Sequence, residues 1–317
     1  MPTKKICSIV IPCYNEEDNV MQLYSELKKL SIPEHISLKL LYVDDNSEDD
    51  TWPRICELSR ADSSVSGIKL TRNYGHQAAL QAGLREAGGD AVITMDADLQ
   101  HPPSCIPRMI ECWEDGANVV NMIRKPDPTL PVFKRVSSSL FYKTFRFLTR
   151  LSLNDGQSDF RLFDSFALSG ILQFQEKCIF LRGIVCLLGT KQESLEFIPA
   201  ARQYGETKYT LPKMLRLALN ASISFSAFPL RLGFFIGIIC ISFAFIYVIY
   251  AFGIRIIIYP ENIQHGWASL VVLISFLFGS QFLYMSIMGE YIIRIFNECK
   301  NRPTYIVEGK TSSVGKS

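Results

Sequence analysis

The chain has 317 residues, with 33 Lys plus Arg against 31 Asp plus Glu, for a formal net charge of +2. So even a balance excludes bulk attraction to nucleic acid, and the length allows one large domain with an appendage or two modest domains. The nine cysteines, at positions 7, 13, 56, 105, 112, 178, 186, 240 and 299, form no CxxC pair and no Cys/His cluster of zinc spacing, so they read as buried free thiols in a reducing compartment.

At the N-terminus, the apolar run of MPTKKICSIVIP stops at Pro12, as expected of a strand rather than a signal peptide. Short β-rich runs occupy residues 7–12, 38–45, 67–70, 91–96 and 117–123, and residues 16–30, 50–61, 76–88 and 103–115 carry apolar positions at helical spacing. Such alternation predicts an α/β fold with a mostly parallel sheet covered on both faces, whose ligand sits beyond the carboxyl ends of the strands. The polar clusters YNEE, DDNSEDD, RNYGHQ and DADLQ fall at those ends. Between 132 and 200 the pattern is less regular, with a helix over about 133–149 followed by the polar stretch NDGQSDFRLFD at 154–164.

Further on, residues 207–227 mix Lys and Arg with Leu and Phe, as a helix lying in a membrane interface does. Residues 232–254 and 266–289 contain no charged side chain, and each meets the roughly 20-residue length that crosses a bilayer. Lys208, Lys213, Arg216 and Arg231 precede the first stretch, Arg294, Lys300 and Arg302 follow the second, and the connecting loop sets Arg255 against Glu261. Basic flanks stay cytoplasmic, so both termini are expected in the cytosol.

The chemistry concentrates in VITMDADLQHPP, residues 92–103. In an extended segment residues i and i+2 share a side, so Asp96 and Asp98 would present two carboxylates to one volume. Mg²⁺ or Mn²⁺ takes one or two carboxylates and completes its shell with water and substrate phosphates. A solvated turn with helix-capping acids is the alternative for that motif alone. Asp44 and Asp45 are candidates to accept from a base or ribose, with capping of the helix that starts near Asp50 as the rival reading, for which Ser47 and Asp49 are better placed. Tyr14 is a candidate to stack on a base, and Arg72 and His76 to face phosphate.

Taken together, PCYNEEDN, DDNSEDDT, RNYGHQAALQAG and DADLQHPP resemble the nucleotide-sugar-binding half of inverting glycosyltransferase family 2 enzymes with the GT-A fold. SDFRLFD, RQYGETKYTLPKM, SFSAFPLRL and GEYIIRIFNECKNRPTYIV narrow the resemblance to the polyisoprenyl-phosphate glycosyltransferases, the group related to dolichol-phosphate mannose synthase whose bacterial members carry two C-terminal spans. The resemblance implies transfer of a sugar, UDP-glucose being the first choice of donor, to the phosphate of a membrane polyprenol such as undecaprenyl phosphate. UDP-GlcNAc, an amino sugar or GDP-mannose are the alternative donors, and a silent nucleotide-sugar-binding membrane module is the alternative of another class. By the same resemblance Pro12, Tyr14, Glu16 and Asp45 line the nucleotide site, while Asp96, Asp98 and Gln100 surround a Mg²⁺ or Mn²⁺ ion. Asp159 is a base or positioning group, and Arg124, Arg135, Arg202 and Lys208 contact the acceptor phosphate.

The expected layout is a cytosolic GT-A domain over 1–205, an interfacial helical region over 206–230, spans at 231–255 and 266–289 around a non-cytoplasmic loop at 256–265, and a cytosolic juxtamembrane helix and tail over 290–317. The expected setting is the inner membrane, as a homo-oligomer (a tetramer by resemblance), with a separate flippase and a downstream glycosyltransferase acting on the product. Three departures stand out: Asn46 where DDGS is usual, Asn220-Ala221 where Asp-Gly is common, and Leu187-Leu188 where Trp often stands.

Overall fold

The structure is a computed structural model that describes residues 4–125, 156–174, 181–199 and 267–311, with part of 233–249. The expected helix over 133–149 and the interfacial region lie outside the described residues. Two compact units emerge, one comprising Met1–Arg146, Leu151–Lys208 and Pro303–Ser317, the other Phe147–Arg150 and Tyr209–Arg302.

The first unit is built on an eight-stranded sheet: β1 (Lys5–Cys13), β2 (Ile36–Asp44), β3 (Val65–Leu70), β4 (Ala91–Thr94), β5 (Val119–Arg124), β6 (Gln157–Asp164), β7 (Gln192–Phe197) and β8 (Val307–Lys310). Their order is β7-β5-β6-β4-β1-β2-β3-β8, and β6 and β8 alone run against their neighbours. Side chains alternate across the pleat. In β1, Ile9 and Ile11 join one core and Val10 the other; in β2, Leu40 and Tyr42 oppose Leu41 and Val43. Helices α1 (Glu17–Lys28), α2 (Thr51–Ala61) and α4 (Ile106–Glu114) cover the first face. The opposite face is covered by α3 (His76–Glu86), α5 (Ser165–Gln173) and α6 (Leu181–Leu187).

All five expected strands form, and three more join them. NDGQSDFRLFD is not an irregular polar stretch: its second half is β6, which slots between β4 and β5 with Phe160 and Leu162 on one face and Phe163 on the other. The C-terminal residues are likewise not a mere tail. Val307–Lys310 pairs with β3, and Thr311 exchanges hydrogen bonds with Gly67 through its backbone N–H and its side-chain oxygen.

Gly83 decides where α3 lies. A Cβ there would overlap the Val10 side chain and come within 3.0 Å of Val43, so glycine lets the helix rest directly on β1 and β2. That contact sets the start of α3, with His76 and Gln77, beside the carboxyl end of the sheet.

In the second unit, α7 (Trp267–Cys299) is one unbroken 33-residue helix that includes most of the second uncharged stretch. Described residues between 233 and 249 are helical, and Gly233 lies against the Tyr284 ring. Among the described residues, no helix is long and apolar enough to cross a membrane.

Candidate active site

Four loops converge beyond the carboxyl ends of β1, β2, β3 and β4, and they are stitched together by side chains. After β1, Asn15 adopts a left-handed φ of 56°; its N–H donates to Ser47 Oγ and its side-chain oxygen accepts from Glu48 N–H. After β2, Asn46 sits at φ 60°, which accounts for a residue other than glycine there, because Asn tolerates this conformation better than most. Asp44, buried beneath, accepts from Ser47 N–H at 3.1 Å, and its Oδ2 has no hydrogen-bond partner among the described residues. Burial pushes its carboxyl up, with Ser47 pulling the other way.

Asp45 accepts from the backbone N–H groups of Tyr74 and Gly75, both at 2.8 Å, one on each carboxylate oxygen. Both donors precede α3, and Gly75 has φ 94°, so the turn that offers them needs glycine. Of the other expected nucleotide-site residues, Pro12 is buried in β1, Tyr14 is exposed, and Glu16 accepts from the Asn19 side chain. Arg72 lies over the Tyr74 ring at 4.6 Å.

The acidic motif is shaped by a turn rather than by strand pleating. β4 ends at Thr94, and Leu99 adopts φ 58°, a strained conformation for a branched side chain, which folds Gln100 and His101 back over Asp96 and Asp98. Asp98 Oδ1 accepts from Gln100 N–H at 3.1 Å, and Gln100 Oε1 accepts from Arg124 at 2.6 Å. Among the described residues the Asp96 carboxylate accepts no hydrogen bond, and its ion-pair neighbours are His76 and His101, each at 3.6 Å. Among the described residues no cluster of three or more His, Cys, Asp or Glu is arranged to hold a metal on its own. A partly exposed carboxylate without hydrogen bonds, beside a second acid, nevertheless fits an ion of the magnesium type, which leaves part of its shell to water and phosphate.

Asp159, on β6, lies across from this turn and is held from two sides. Oδ1 accepts from Arg182 Nε at 2.9 Å, Oδ2 accepts from Gln77 at 3.1 Å, and His76 stands 3.9 Å away. Burial pushes the Asp159 carboxyl up, but the Arg182 guanidinium, helped by Arg161 and His76, outweighs it and leaves the group below its ordinary value. Arg161 is fully buried; its Nε donates to the Ser158 carbonyl, and burial lowers it to about 10.

Thus Asp96, Asp98, Gln100, Arg124 and Asp159 are brought to one end of the sheet, whereas Arg135, Arg202 and Lys208 lie outside the described residues. Sequence reasoning missed Gln77, His101 and Arg182. His101 was legible as the residue closing DADLQH, but Arg182 sits in the apolar run LRGIVCLL, where nothing local announces a partner.

The family model for glycosyl transferase family 2 matches residues 8–172. The uncharacterized glycosyltransferase YkcC of Bacillus subtilis (strain 168) is 36% identical over 95% of this chain and 93% of that protein. A prophage bactoprenol glucosyl transferase homolog of Escherichia coli (strain K12) is also 36% identical, over 95% of this chain and 98% of its own length. The bactoprenol glucosyl transferase of Shigella phage SfII is 35% identical over 95% and 97% respectively. Among solved structures, a mannosyltransferase from Pyrobaculum calidifontis in complex with GDP-Man and Mn²⁺ aligns at 15% identity with a TM-score of 0.49, over 70% of this chain and 64% of that one, too distant a likeness to bear on chemistry.

Proposed function

The chain belongs to glycosyl transferase family 2, and on that premise we propose that it moves glucose from UDP-glucose to the phosphate of a membrane polyprenol such as undecaprenyl phosphate. The product is a β-linked polyprenyl-phosphate glucose destined for cell-envelope glycan. The observation that carries this reading is the pairing of an open Asp96 carboxylate with a clamped Asp159 at one sheet end, in a chain with relatives named bactoprenol glucosyl transferase.

The chemistry asks little of a base. A phosphate monoester has a second pKa of about 6, so the acceptor is already largely ionised at neutral pH. It needs orientation against the anomeric carbon and cations around its charge. Asp159, with both oxygens engaged by Arg182 and Gln77, suits the role of an orienting group better than that of a proton acceptor. Arg124, tied to the acidic turn through Gln100, would offer a cation to the departing diphosphate and the arriving phosphate. Asp96 and Asp98, with Gln100 next to them, are the residues to hold Mg²⁺ or Mn²⁺, which when bound neutralises charge developing on the diphosphate. A single in-line displacement inverts the sugar.

The uncharged stretches at 232–254 and 266–289, with their basic flanks, support an inner-membrane protein whose catalytic unit faces the cytosol. A polyprenol cannot leave the bilayer without exposing its chain, at about 0.8 kcal/mol per CH₂, so the active site must come to the headgroup. Lys208, Arg202 and Arg135 would meet the acceptor phosphate there, and a homo-oligomer and a separate flippase belong to the same reading.

The test is a donor panel. Purified full-length protein in vesicles containing undecaprenyl phosphate is given labelled UDP-glucose, UDP-GlcNAc or GDP-mannose. Lipid-extractable label from UDP-glucose above the others supports the proposal, and a preference for another donor refutes the choice of glucose while leaving the reaction class standing.

A further inference from the structure

Resting on that reading, we propose that His101 is the positioning residue that closes the acidic turn and aims the Asp96 carboxylate at the bound divalent cation. The geometry is unusual in that one ring addresses both ends of the same residue. Nδ1 accepts the Asp96 backbone N–H at 3.0 Å, which places the imidazole proton on Nε2, and Nε2 faces Asp96 Oδ2 at 3.6 Å. His101 thereby confines Asp96 Oδ2 from one side, while Oδ1, 3.6 Å from His76 Nε2, accepts no hydrogen bond among the described residues and is the oxygen an ion would meet.

The ring itself cannot swing. His101 is 5% exposed, stacks on Phe160 with centroids 5.0 Å apart and planes 16° from parallel, and meets the edge of Phe197 at 5.9 Å. Phe160 belongs to β6 and Phe197 ends β7, so the turn after β4 is braced by the two strands that flank β5. Phe160 also follows Asp159 directly, which gives the acidic turn and the orienting carboxylate a common support. The turn needs such a brace because Leu99 holds a left-handed φ of 58°, a conformation that relaxes when nothing retains it.

A ring that merely filled space would be replaceable by another of the same shape; a positioning imidazole would not. His101→Phe keeps an aromatic on Phe160 and Phe197 but removes both nitrogens. Mn²⁺ binding to the full-length protein with UDP present, read from the electron paramagnetic resonance of free Mn²⁺, is expected to weaken roughly 10- to 100-fold, the usual cost of losing a residue that orients a metal ligand. Transfer at saturating Mn²⁺ should recover most of its rate, while the metal-free thermal midpoint stays near that of the unaltered protein. His101→Asn, which retains an acceptor near the Nδ1 position, should lose less Mn²⁺ affinity than the Phe variant and serves as the arm that counts if the Phe variant does not fold. Unchanged Mn²⁺ affinity in the folded Phe variant, or in the Asn variant when only that one folds, overturns the assignment of His101 alone. Failure of the unaltered protein with UDP to bind Mn²⁺ overturns both this proposal and the metal site it rests on.

Discussion

Asp159 shows how a residue's neighbours decide its job. A buried carboxylate left alone would titrate upward, but Arg182 at 2.9 Å reverses the sign and keeps it ionised below the ordinary carboxylate range. Replacing Arg182 with Met removes the dominant opposing charge, so the Asp159 pKa must rise. The acid limb of kcat/KM should therefore move to higher pH, whereas the same limb in Arg182→Lys should move less. A pH profile of transfer for the three proteins checks this, and an unmoved limb in the Met variant would show that Arg182 does not control Asp159. The stability linkage has the same sign: a depressed native pKa stabilises the fold above the unfolded carboxylate's pKa, and that contribution fades as pH falls through the native value. The identity of Asp159 could be read from SDFRLFD, but its clamp could not, because Gln77 and Arg182 reach it from α3 and α6, far away in the chain. Asn46 is the opposite case: it looked like a departure from pattern, and its φ of 60° makes it a substitute for glycine in the same turn.

Among the elements, those with a local signature were legible and those defined by partners were not. The first four strands and their helices carry apolar periodicity bounded by turns, so their order alone predicted the parallel half of the sheet. By contrast β6 runs antiparallel inside the sheet, and its charged Asp159 and Arg161 disguise a strand whose Phe160, Leu162 and Phe163 are fully buried. β8 is four residues long and has meaning only beside β3. It covers that edge, with Tyr305 and Val307 packed on the core and Ile306 accepting from Thr71 N–H at the start of the loop that leads to Tyr74 and Gly75. A truncated catalytic unit ending at residue 205 should therefore melt lower and aggregate through its open edge, and fusing residues 303–311 behind a flexible linker should restore a substantial part of the loss. Differential scanning fluorimetry and light scattering distinguish these outcomes. Gly83→Val offers a second test: overlap with Val10 and Val43 should cost about 1–3 kcal/mol or more of stability in a denaturant titration and displace α3, with donor affinity falling alongside.

For the whole molecule, sequence and fold assign different kinds of work to different parts. The sheet unit gathers the acidic turn, Asp159 and Arg124 at one end, and the uncharged stretches supply the proposed means of meeting a lipid-borne acceptor. On the proposed reading, that meeting depends on a cation between protein and diphosphate. The most direct measurement is transfer of labelled glucose from UDP-glucose to undecaprenyl phosphate in vesicles, for the unaltered protein and for Asp98→Asn, each with and without a chelator and with Mn²⁺ or Mg²⁺ restored afterwards. The account predicts loss of transfer on chelation, recovery on adding back the ion, and a rate for Asp98→Asn lower by roughly 10²–10³-fold at every metal concentration, the scale of losing one electrostatic stabiliser of the transition state. Transfer that persists in chelator, or an Asp98→Asn enzyme as fast as its parent, would contradict it.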